Sequence, residues 1–282
     1  MTNAIVHTRV RKVAAAGFTD TNDTLATEDP LEIRLVHGPS HNRRQQNISV
    51  TMRTPGNDME LAAGFLFTEG IISHSDDIQE VILSSTEDGD IATVHLKPSV
   101  NARLGQVQRN FAATAACGVC GKTNLSSIRT AVNVGEHTFT LSAPSLLRLP
   151  DLLRHQQSVF DSTGGLHAAA LFNDSGQLLL LREDIGRHNA VDKVIGAAIQ
   201  QSSLSLQQYG LLLSGRAGFE LIQKAAMAHI PVIAAIGAPS SLAVKMAEQW
   251  HITLVGFLKE DRFNIYSGAA TIDVPQNTTQ HG

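Results

Sequence analysis

Both cysteines of this chain lie in one short glycine-rich segment, Ala-Cys-Gly-Val-Cys-Gly-Lys, at residues 116–122. A thiol reacts as its thiolate, and open backbone N–H groups beside a cation favour that form. The glycines leave the backbone open around Cys117 and Cys120, and Lys122 supplies the cation. Free cysteines are often buried in a core, but the glycines and the lack of apolar periodicity predict a loop with reactive thiols.

Three chemistries for such a Cys-x-x-Cys pair stay open. A structural zinc site needs four ligands, commonly a second cysteine pair or a histidine pair after the first. The chain has no second cysteine pair, and His37 and His41 have the right mutual spacing but lie far upstream. A thioredoxin-like dithiol is expected beside a βαβ unit, whereas this pair follows a polar stretch at 101–110. The third is a sulfur carrier, in which one cysteine holds sulfur as a persulfide.

Two glycine-containing turns in the second half of the chain each follow a buried apolar run. They are Ser214-Gly215-Arg216-Ala217-Gly218 and Gly237-Ala238-Pro239-Ser240-Ser241. In open α/β sheets, ligands bind beyond the carboxyl ends of the strands, at helix N-termini that attract phosphate. Neither turn matches a P-loop or the dinucleotide fingerprint, so ordinary turns with a serine N-cap remain an alternative. We name Ser214, Arg216 and Ser240 as candidate ligand contacts.

The densest charged stretch spans residues 182–193, Arg-Glu-Asp-Ile-Gly-Arg-His-Asn-Ala-Val-Asp-Lys. On a helix, His188 and Asp192 share a face, as do Asn189 and Lys193, and this pattern is typical of a solvated surface with salt bridges. Its hydrogen-bonding groups also gather at a helix start after a strand, where sites tend to form. A solvated surface for half of this run is the usual interpretation, but the grouping of Arg187, His188 and Asn189 at the helix start argues against it, and both interpretations stay open.

One histidine argues against a particular enzyme class. Zinc-dependent deaminases need His-x-Glu followed by Pro-Cys-x-x-Cys, with the glutamate moving protons. After His167, Ala169 stands where that glutamate would be, and the cysteine pair comes earlier in the chain without a preceding proline. The residues exclude deaminase chemistry and predict a buried structural His167.

The first half of the chain has the pattern of a small α+β unit. Before Pro30 periodicity is weak, with one strand expected near the start. The turn at 87–89 joins the last two strands as a hairpin, and a further helix is expected to begin at Pro150, since proline is tolerated at a first helical position. Strands are expected at 32–36, 47–52, 81–83 and 91–96, and helices at 59–68 and 150–160.

The second half alternates strands and helices, which predicts βαβ units and a parallel sheet region. A hairpin comes first, at 166–172 and 177–181. Helices are then expected at 186–199, 219–229 and 240–250, and strands at 210–214, 231–236, 253–258 and 262–266.

Composition narrows the classes of partner. The chain has 282 residues, 43% of them hydrophobic, enough for one large core or, as we expect, two domains. Its net charge of −4 gives no basic footprint for nucleic acid, and no apolar stretch is long enough to span a bilayer. No export signal is visible, so we expect a cytoplasmic protein whose thiols stay reduced and available for chemistry.

Five motifs, in this order, make the chain resemble the FdhD family of sulfurtransferase accessory proteins, which are required for active formate dehydrogenases. Their joint order is far more specific than a single Cys-x-x-Cys pair. The resemblance extends over about residues 31–266. The motifs are the cysteine segment at 116–122, Thr163-Gly164-Gly165-Leu166-His167-Ala168-Ala169, residues 182–192, Leu213-Ser214-Gly215-Arg216 and Gly237-Ala238-Pro239-Ser240-Ser241.

The resemblance implies that Cys117 carries a persulfide. It would receive sulfur from a cysteine desulfurase and pass it to the molybdenum or tungsten bis-molybdopterin guanine dinucleotide cofactor, bound as a substrate. Cys120 would be an auxiliary thiol, and the protein would serve a formate dehydrogenase, form a homodimer and hold no tightly bound metal of its own. The alternatives are a cofactor-binding chaperone without sulfur transfer and a thioredoxin-like dithiol oxidoreductase.

The resemblance also implies a cofactor-binding segment near the C-terminus. Its cations, Lys259 and Arg262, are expected to bind phosphates. The two strand-end turns are also expected to bind phosphate, so the two expectations agree. The segment matches Phe257, Leu258, Lys259, Glu260, Asp261 and Arg262.

The implied fold class is α/β, with a cytidine deaminase-like three-layer α/β/α C-terminal domain and a smaller N-terminal α+β domain. We expect four regions along the chain. They are a mobile arm at 1–30, the α+β domain at 31–145 with the cysteine loop at about 98–124, the deaminase-like domain at 146–274 and a disordered tail at 275–282.

Overall fold

A computed structural model describes residues 3–104, 134, 137–201 and 205–275. Cys117 and Cys120 lie outside the described residues, as do nearly all of the predicted cysteine loop and the tail from 276 onward. Contacts divide the chain into two compact units that interleave along the sequence: 1–130, 157–168 and 182–201 form the first, and 131–156, 169–181 and 202–282 the second. The domain boundaries given above stay a prediction.

The fold is mixed α/β with several sheets. The strands are β1 (Ile5–Ala14), β2 (Gly17–Ala26), β3 (Asp29–His37), β4 (Arg44–Arg53), β5 (Ile78–Thr86), β6 (Gly89–Leu96), β7 (Leu141–Ser142), β8 (His167–Phe172), β9 (Leu178–Asp184), β10 (Gly210–Leu213), β11 (Val232–Ala235), β12 (Thr253–Gly256), β13 (Asn264–Ser267) and β14 (Ile272–Asp273). The helices are α1 (Asp58–Thr68), α2 (Ala143–Gln156), α3 (Ser158–Thr163), α4 (Arg187–Gln200), α5 (Phe219–Met227) and α6 (Ser241–Gln249).

The first unit is built on a four-stranded sheet in the order β4-β3-β6-β5. β3 and β6 are parallel, while β3–β4 and β5–β6 are antiparallel. Alternate residues of β3 and β6 point to one face, where they pack with apolar residues of α1. The fully buried members of this core include Leu31, Ile33, Leu35, Leu61, Ala62, Leu66, Ala92, Val94 and Leu96.

The second unit is built on a sheet in the order β13-β12-β11-β10-β8-β9. β10, β11 and β12 are parallel neighbours, and every residue of these three strands is buried. Continuous burial is typical of parallel strands covered on both faces. This confirms the alternation of strands and helices predicted for the second half.

Two differences from the sequence prediction concern long elements. Residues before Pro30 form two long strands, β1 and β2, rather than one, because most of their side chains are exposed and so show no apolar alternation. Helix α2 begins at Ala143 and contains Pro150 in its interior. Burial of Leu146, Leu149 and Leu153 on one face of that helix offsets the cost of about 3 kcal/mol that an interior proline carries.

None of the helices in the described part of the chain is long and apolar enough to cross a membrane.

Candidate functional site

The candidate site lies at one edge of the second unit's sheet, where three parallel strands end. Ser214 follows β10, Ile236 follows β11 and Phe257 follows β12. Because parallel strands place their carboxyl ends at the same edge, the two predicted turns and the predicted cofactor-binding segment come together there. Helix α5 begins directly after the first turn, and helix α6 begins at the end of the second.

Backbone hydrogen bonds hold these three loops in a fixed relation. Gly237 N donates to Gly215 O at 2.9 Å, and Phe257 N donates to Gly237 O at 3.1 Å. Ala217 N donates to Ala238 O at 3.1 Å, and Ser240 N returns a bond to Ala217 O at 3.0 Å. The edge is therefore a preformed surface rather than three independent loops.

Position 237 has no room for a side chain, because the two turns lie too close together there. A Cβ atom at this position would lie 2.9 Å from Arg216 N and from both the carbonyl carbon and oxygen of Gly215. Contacts that short with backbone atoms cannot be relieved by turning a side chain. The glycine thus permits the two turns to approach each other.

The segment at 257–262 forms the third loop. Leu258 is fully buried and its backbone N donates to Ala235 O at 3.1 Å, so it anchors the segment in the core. Lys259 N donates to Arg262 O at 2.9 Å and closes the turn. The side chains of Phe257, Lys259, Glu260, Asp261 and Arg262 are exposed.

Phe257 is unusual in its backbone. Its φ of 52° lies in the left-handed region, and its side chain is 45% exposed. A residue with a Cβ atom pays roughly 1–2 kcal/mol for this conformation, and such strain tends to persist at functional positions. An exposed aromatic ring held this way is suited to contact the planar part of a ligand.

The charges at this edge suit a phosphate-bearing ligand. Arg216, Lys259 and Arg262 supply three exposed cations, against the carboxylates of Glu260 and Asp261. Arg262 Nη1 lies 3.7 Å from Asp261 Oδ2, a weak and exposed pair that leaves the guanidinium accessible. The N-terminus of α6 adds positive potential, although Ser240 Oγ already accepts a bond from Ala243 N at 3.2 Å as its N-cap.

Of the two interpretations of residues 182–193, the solvated surface is wrong for the helical part at 188–193, which is buried. His188, Asn189, Asp192 and Lys193 are each less than 10% exposed. They lie on α4 in the first unit, where α1 packs against that helix. The charges pair inside the protein instead of facing water.

Asp184 is the centre of this buried network. Its Oδ2 atom lies 2.7 Å from Lys193 Nζ and accepts a bond from Thr54 N at 3.2 Å. Its Oδ1 atom accepts from Gly186 N at 2.8 Å and from Asn189 Nδ2 at 3.0 Å. Four donors to one carboxylate make a satisfied buried charge, so this run joins segments of the first unit.

Sequence reasoning missed the partners of this network. Thr54 accepts from Lys193 Nζ through its carbonyl oxygen at 2.8 Å and from Ile185 N through its hydroxyl at 3.1 Å. Thr68 donates to Asp192 Oδ1 at 2.7 Å. Thr68 ends the predicted helix at 59–68 and gave a weak signal, since polar residues at helix ends often form hydrogen bonds, whereas Thr54 lies before the turn that precedes that helix and gave none.

The two histidines considered as zinc ligands lie at the β3–β4 hairpin. His37 ends β3 opposite Arg44, and His41 is exposed in the turn. Burial lowers the pKa of His37 and the nearby Arg43 and Arg44 lower it further, which favours the neutral imidazole. No cluster of three or more potential metal ligands occurs among the described residues, but the cysteines lie outside them, so the zinc hypothesis is untested.

A family model described as FdhD/NarQ family matches residues 26–273. A sulfur carrier protein FdhD from Mycolicibacterium paratuberculosis is 49% identical over 272 residues, covering 94% of this chain and 97% of the relative. A protein of the same name from Streptomyces coelicolor is 48% identical and covers 88% of each chain.

Among solved structures, a candidate formate dehydrogenase accessory protein from Desulfotalea psychrophila has a similar fold. The TM-score is 0.75, the identity is 22%, and the match covers 95% of this chain and 99% of the other. This likeness supports the arrangement of helices and strands described above.

Proposed function

Because this chain belongs to the FdhD/NarQ family, we propose that it is a sulfurtransferase, a sulfur carrier that takes part in the maturation of a formate dehydrogenase. The observation that carries the proposal is the identity of almost half of all aligned residues with sulfur carrier proteins of nearly the same length. Likeness of that degree over whole chains supports a shared role better than one motif does.

In the proposed reaction, Cys117 is the residue that carries sulfur. Its thiolate attacks the outer sulfur of a persulfide on a cysteine desulfurase, the S–S bond of that persulfide breaks, and the desulfurase leaves as a thiolate. The product is a persulfide on Cys117, an accessible reversible state of a reactive thiol. Cys120 is the auxiliary thiol, and Lys122 favours the thiolate form.

The acceptor in this proposal is the molybdenum or tungsten bis-molybdopterin guanine dinucleotide cofactor, bound as a substrate. The strand-end edge of the second unit supports this part, because Arg216, Lys259 and Arg262 are exposed cations beside two helix N-termini. Phosphate groups bind at such places. Phe257 and the polar residues of the same edge, Ser214, Ser240, Glu260 and Asp261, complete the proposed contact surface, with Leu258 anchoring it.

Three further parts of the proposal come from family membership. The second unit's sheet and helices belong to a cytidine deaminase-like α/β/α domain, the protein works in the cytoplasm as a homodimer, and its protein partners are a cysteine desulfurase and a formate dehydrogenase. Nucleic acid is not a partner, in keeping with the net charge of −4.

The proposal is tested by measuring cyanide-labile sulfur after incubation with a cysteine desulfurase and L-cysteine. We expect about one labile sulfur per wild-type chain and per Cys120→Ala chain, and none on Cys117→Ala. The Cys117→Ala variant should also fail to activate a formate dehydrogenase while still binding the cofactor. Full activation by that variant would mean a chaperone without sulfur transfer, and disulfide reduction that needs both cysteines would mean a dithiol oxidoreductase.

A further inference from the structure

The N-terminal hairpin, formed by β1 and β2, is long and sparsely packed. Each strand has ten residues, and in the described part of the chain the two pair only with each other. Helix α3 contacts β2. An isolated two-stranded hairpin is at best marginally stable in water, and an exposed pair of strands offers a surface to other molecules.

The two faces of this hairpin differ in exposure. One face, the open face, carries three successive cross-strand pairs near the tip: Arg9 with Asn22, Arg11 with Asp20, and Val13 with Phe18. All six residues are exposed. On the opposite face Thr8, Val10 and Thr21 are half-buried. The open face is thus the side available to a partner.

Apolar and charged groups lie side by side on the open face. Val13 is 78% exposed and Phe18 is 62% exposed. Arg11 bonds Asp20 with two hydrogen bonds, at 2.7 and 3.0 Å, and its guanidinium lies 4.1 Å from the centre of the Phe18 ring. Cross-strand and cation–π contacts of this kind hold the side chains in defined positions.

Charge is divided between the strands. On the open face, β1 carries Arg9 and Arg11 and no acidic residue, while β2 carries Asp20 and no basic residue. A surface with cations along one strand and a carboxylate on the other is complementary to itself in one orientation. That orientation places the basic strand of one copy over the acidic strand of a second copy.

We infer that the open face of this hairpin is a contact surface between two copies of this chain, stacked face to face about a two-fold axis parallel to the strands. This inference rests on the homodimer of the proposed function and names its surface. The axis sets β1 of one copy over β2 of the other, so Arg11 faces the partner's Asp20 and Val13 faces the partner's Phe18. It is also a closed, symmetric arrangement.

The other two-fold stacking of the same faces does not fit. An axis across the strands, in the plane of the interface, would set β1 over β1 and bring Arg9 and Arg11 against the same residues of the partner. Like charges placed opposite one another in an interface disfavour that pairing strongly. Charge therefore selects the parallel axis.

The size of the surface predicts the strength of the contact. Ten residues at about 3.3 Å each make a face roughly 33 Å long, and two strands make it about 10 Å wide. The resulting area, of the order of 300 Å² per copy, is well below the roughly 800 Å² per partner of a standard interface. The contact should weaken on dilution and at high salt.

The test uses two charge variants of the full chain, Arg11→Glu and Asp20→Arg, in sedimentation experiments over a range of concentrations. The first leaves only carboxylates at these two positions and the second only cations. We expect each variant alone to raise the dimer dissociation constant at least tenfold. An equimolar mixture of the two should recover dimers, because every cross-chain pair is then attractive.

The opposite face supplies a matched control. Lys12 and Asp23 form an exposed ion pair 3.8 Å apart there, and Lys12→Glu and Asp23→Lys change charge in the same way on the same strands. These two variants should leave dimerisation within about twofold of wild type. Phe18→Ser, which keeps every charge, should also weaken the dimer, and circular dichroism checks that each variant is folded.

Three outcomes overturn the inference. If the dimer dissociation constant is unchanged in Arg11→Glu, Asp20→Arg and Phe18→Ser, the chain is still a homodimer but its contact surface lies elsewhere. If Lys12→Glu and Asp23→Lys raise the dimer dissociation constant as much as the open-face variants do, the open face is not the contact surface. A wild-type chain that stays monomeric at all concentrations removes the homodimer as well. Labile sulfur on Cys117, measured separately, reports on the sulfur carrier role in each case.

Discussion

Gly64 of helix α1 and Gly196 of helix α4 lie against each other where these helices cross. A Cβ atom built on Gly64 would lie 2.8 Å from Gly196 N, and one built on Gly196 would lie 2.9 Å from Gly64 N. Each added carbon would also overlap a backbone carbonyl oxygen, of Asp192 and of Glu60 respectively. The two helices of the first unit can pack this closely only because both positions lack side chains.

Either glycine should therefore be intolerant of alanine. Overpacking costs about 1–3 kcal/mol or more when backbone must move, which exceeds the gain of about 1 kcal/mol from replacing a helical glycine. We expect Gly64→Ala and Gly196→Ala to lower the unfolding midpoint in urea, followed by circular dichroism. Gly165→Ala is the control, since its new Cβ would meet atoms no closer than 3.9 Å. Midpoints equal to wild type would contradict the crossing.

Lys193 should be needed for stability although it carries a charge. The side chains of Lys193 and Asp184 are 2% and 0% exposed, and removing one partner of a buried pair costs about 3–5 kcal/mol because the other charge stays buried and uncompensated. We expect Lys193→Met to lose free energy of unfolding on that scale. Lys12→Met removes a cation from an exposed pair and should cost less than about 1 kcal/mol. Similar losses of unfolding free energy in Lys193→Met and Lys12→Met would show that the burial of Lys193 does not determine its contribution to stability.

The sequence predicts much of the second unit correctly for a physical reason. Continuous apolar runs such as 210–213 and 232–235 are the mark of strands covered on both faces, and the turns after them follow from strand order. The edge that gathers Arg216, Lys259 and Arg262 could therefore be anticipated. Its close packing at Gly237 could not, because that depends on two turns meeting in space.

The buried network of the first unit shows what sequence cannot supply. Asn189 and Lys193 have the i, i+4 spacing typical of an exposed charged helix, whereas the partner that Lys193 contacts at Thr54 lies 139 positions away. Helical periodicity reports which residues share a face but not what covers that face. The same limit applies to the N-terminal hairpin, whose exposed strands show no apolar alternation.

Asp90 should make stability depend on pH in the acid range. A bond from Ser85 Oγ at 2.5 Å, and after it the Arg53 guanidinium at 2.6 Å, hold the pKa of Asp90 below its ordinary value, against the opposing effect of burial. A carboxyl group with a lowered pKa in the folded state stabilises the protein above its unfolded pKa of about 3.9. That stability is lost as the pH falls through the lower, folded value.

Asp90→Asn tests this dependence. The variant should be less stable than wild type at pH 7, by about 1.5–3 kcal/mol for bonds to a charged group. The difference should shrink as the pH falls below about 4, where Asp90 of the unfolded chain binds a proton, and should vanish below the lower pKa of the folded state. The free energy of unfolding in urea between pH 2.5 and 7 measures both. Asp88→Asn, in the exposed β5–β6 turn, is the control. Parallel curves for Asp90→Asn and wild type would count against the assignment.

Gly237 should couple the packing of the strand-end edge to ligand binding. A Cβ there would press on Arg216 N and on Gly215 at 2.9 Å, so Gly237→Ala must displace the turn that carries Arg216. At Gly218, in that same turn, a Cβ would meet only the end of the Glu220 side chain, at 3.2 Å, and this flexible group can move aside. Guanosine diphosphate serves as a probe for the pyrophosphate-bearing part of the proposed substrate. We expect Gly237→Ala to weaken its binding at least tenfold by calorimetry and Gly218→Ala to change it little. If Gly237→Ala is folded and binds the probe as wild type does, the phosphate contacts of the substrate lie away from this edge.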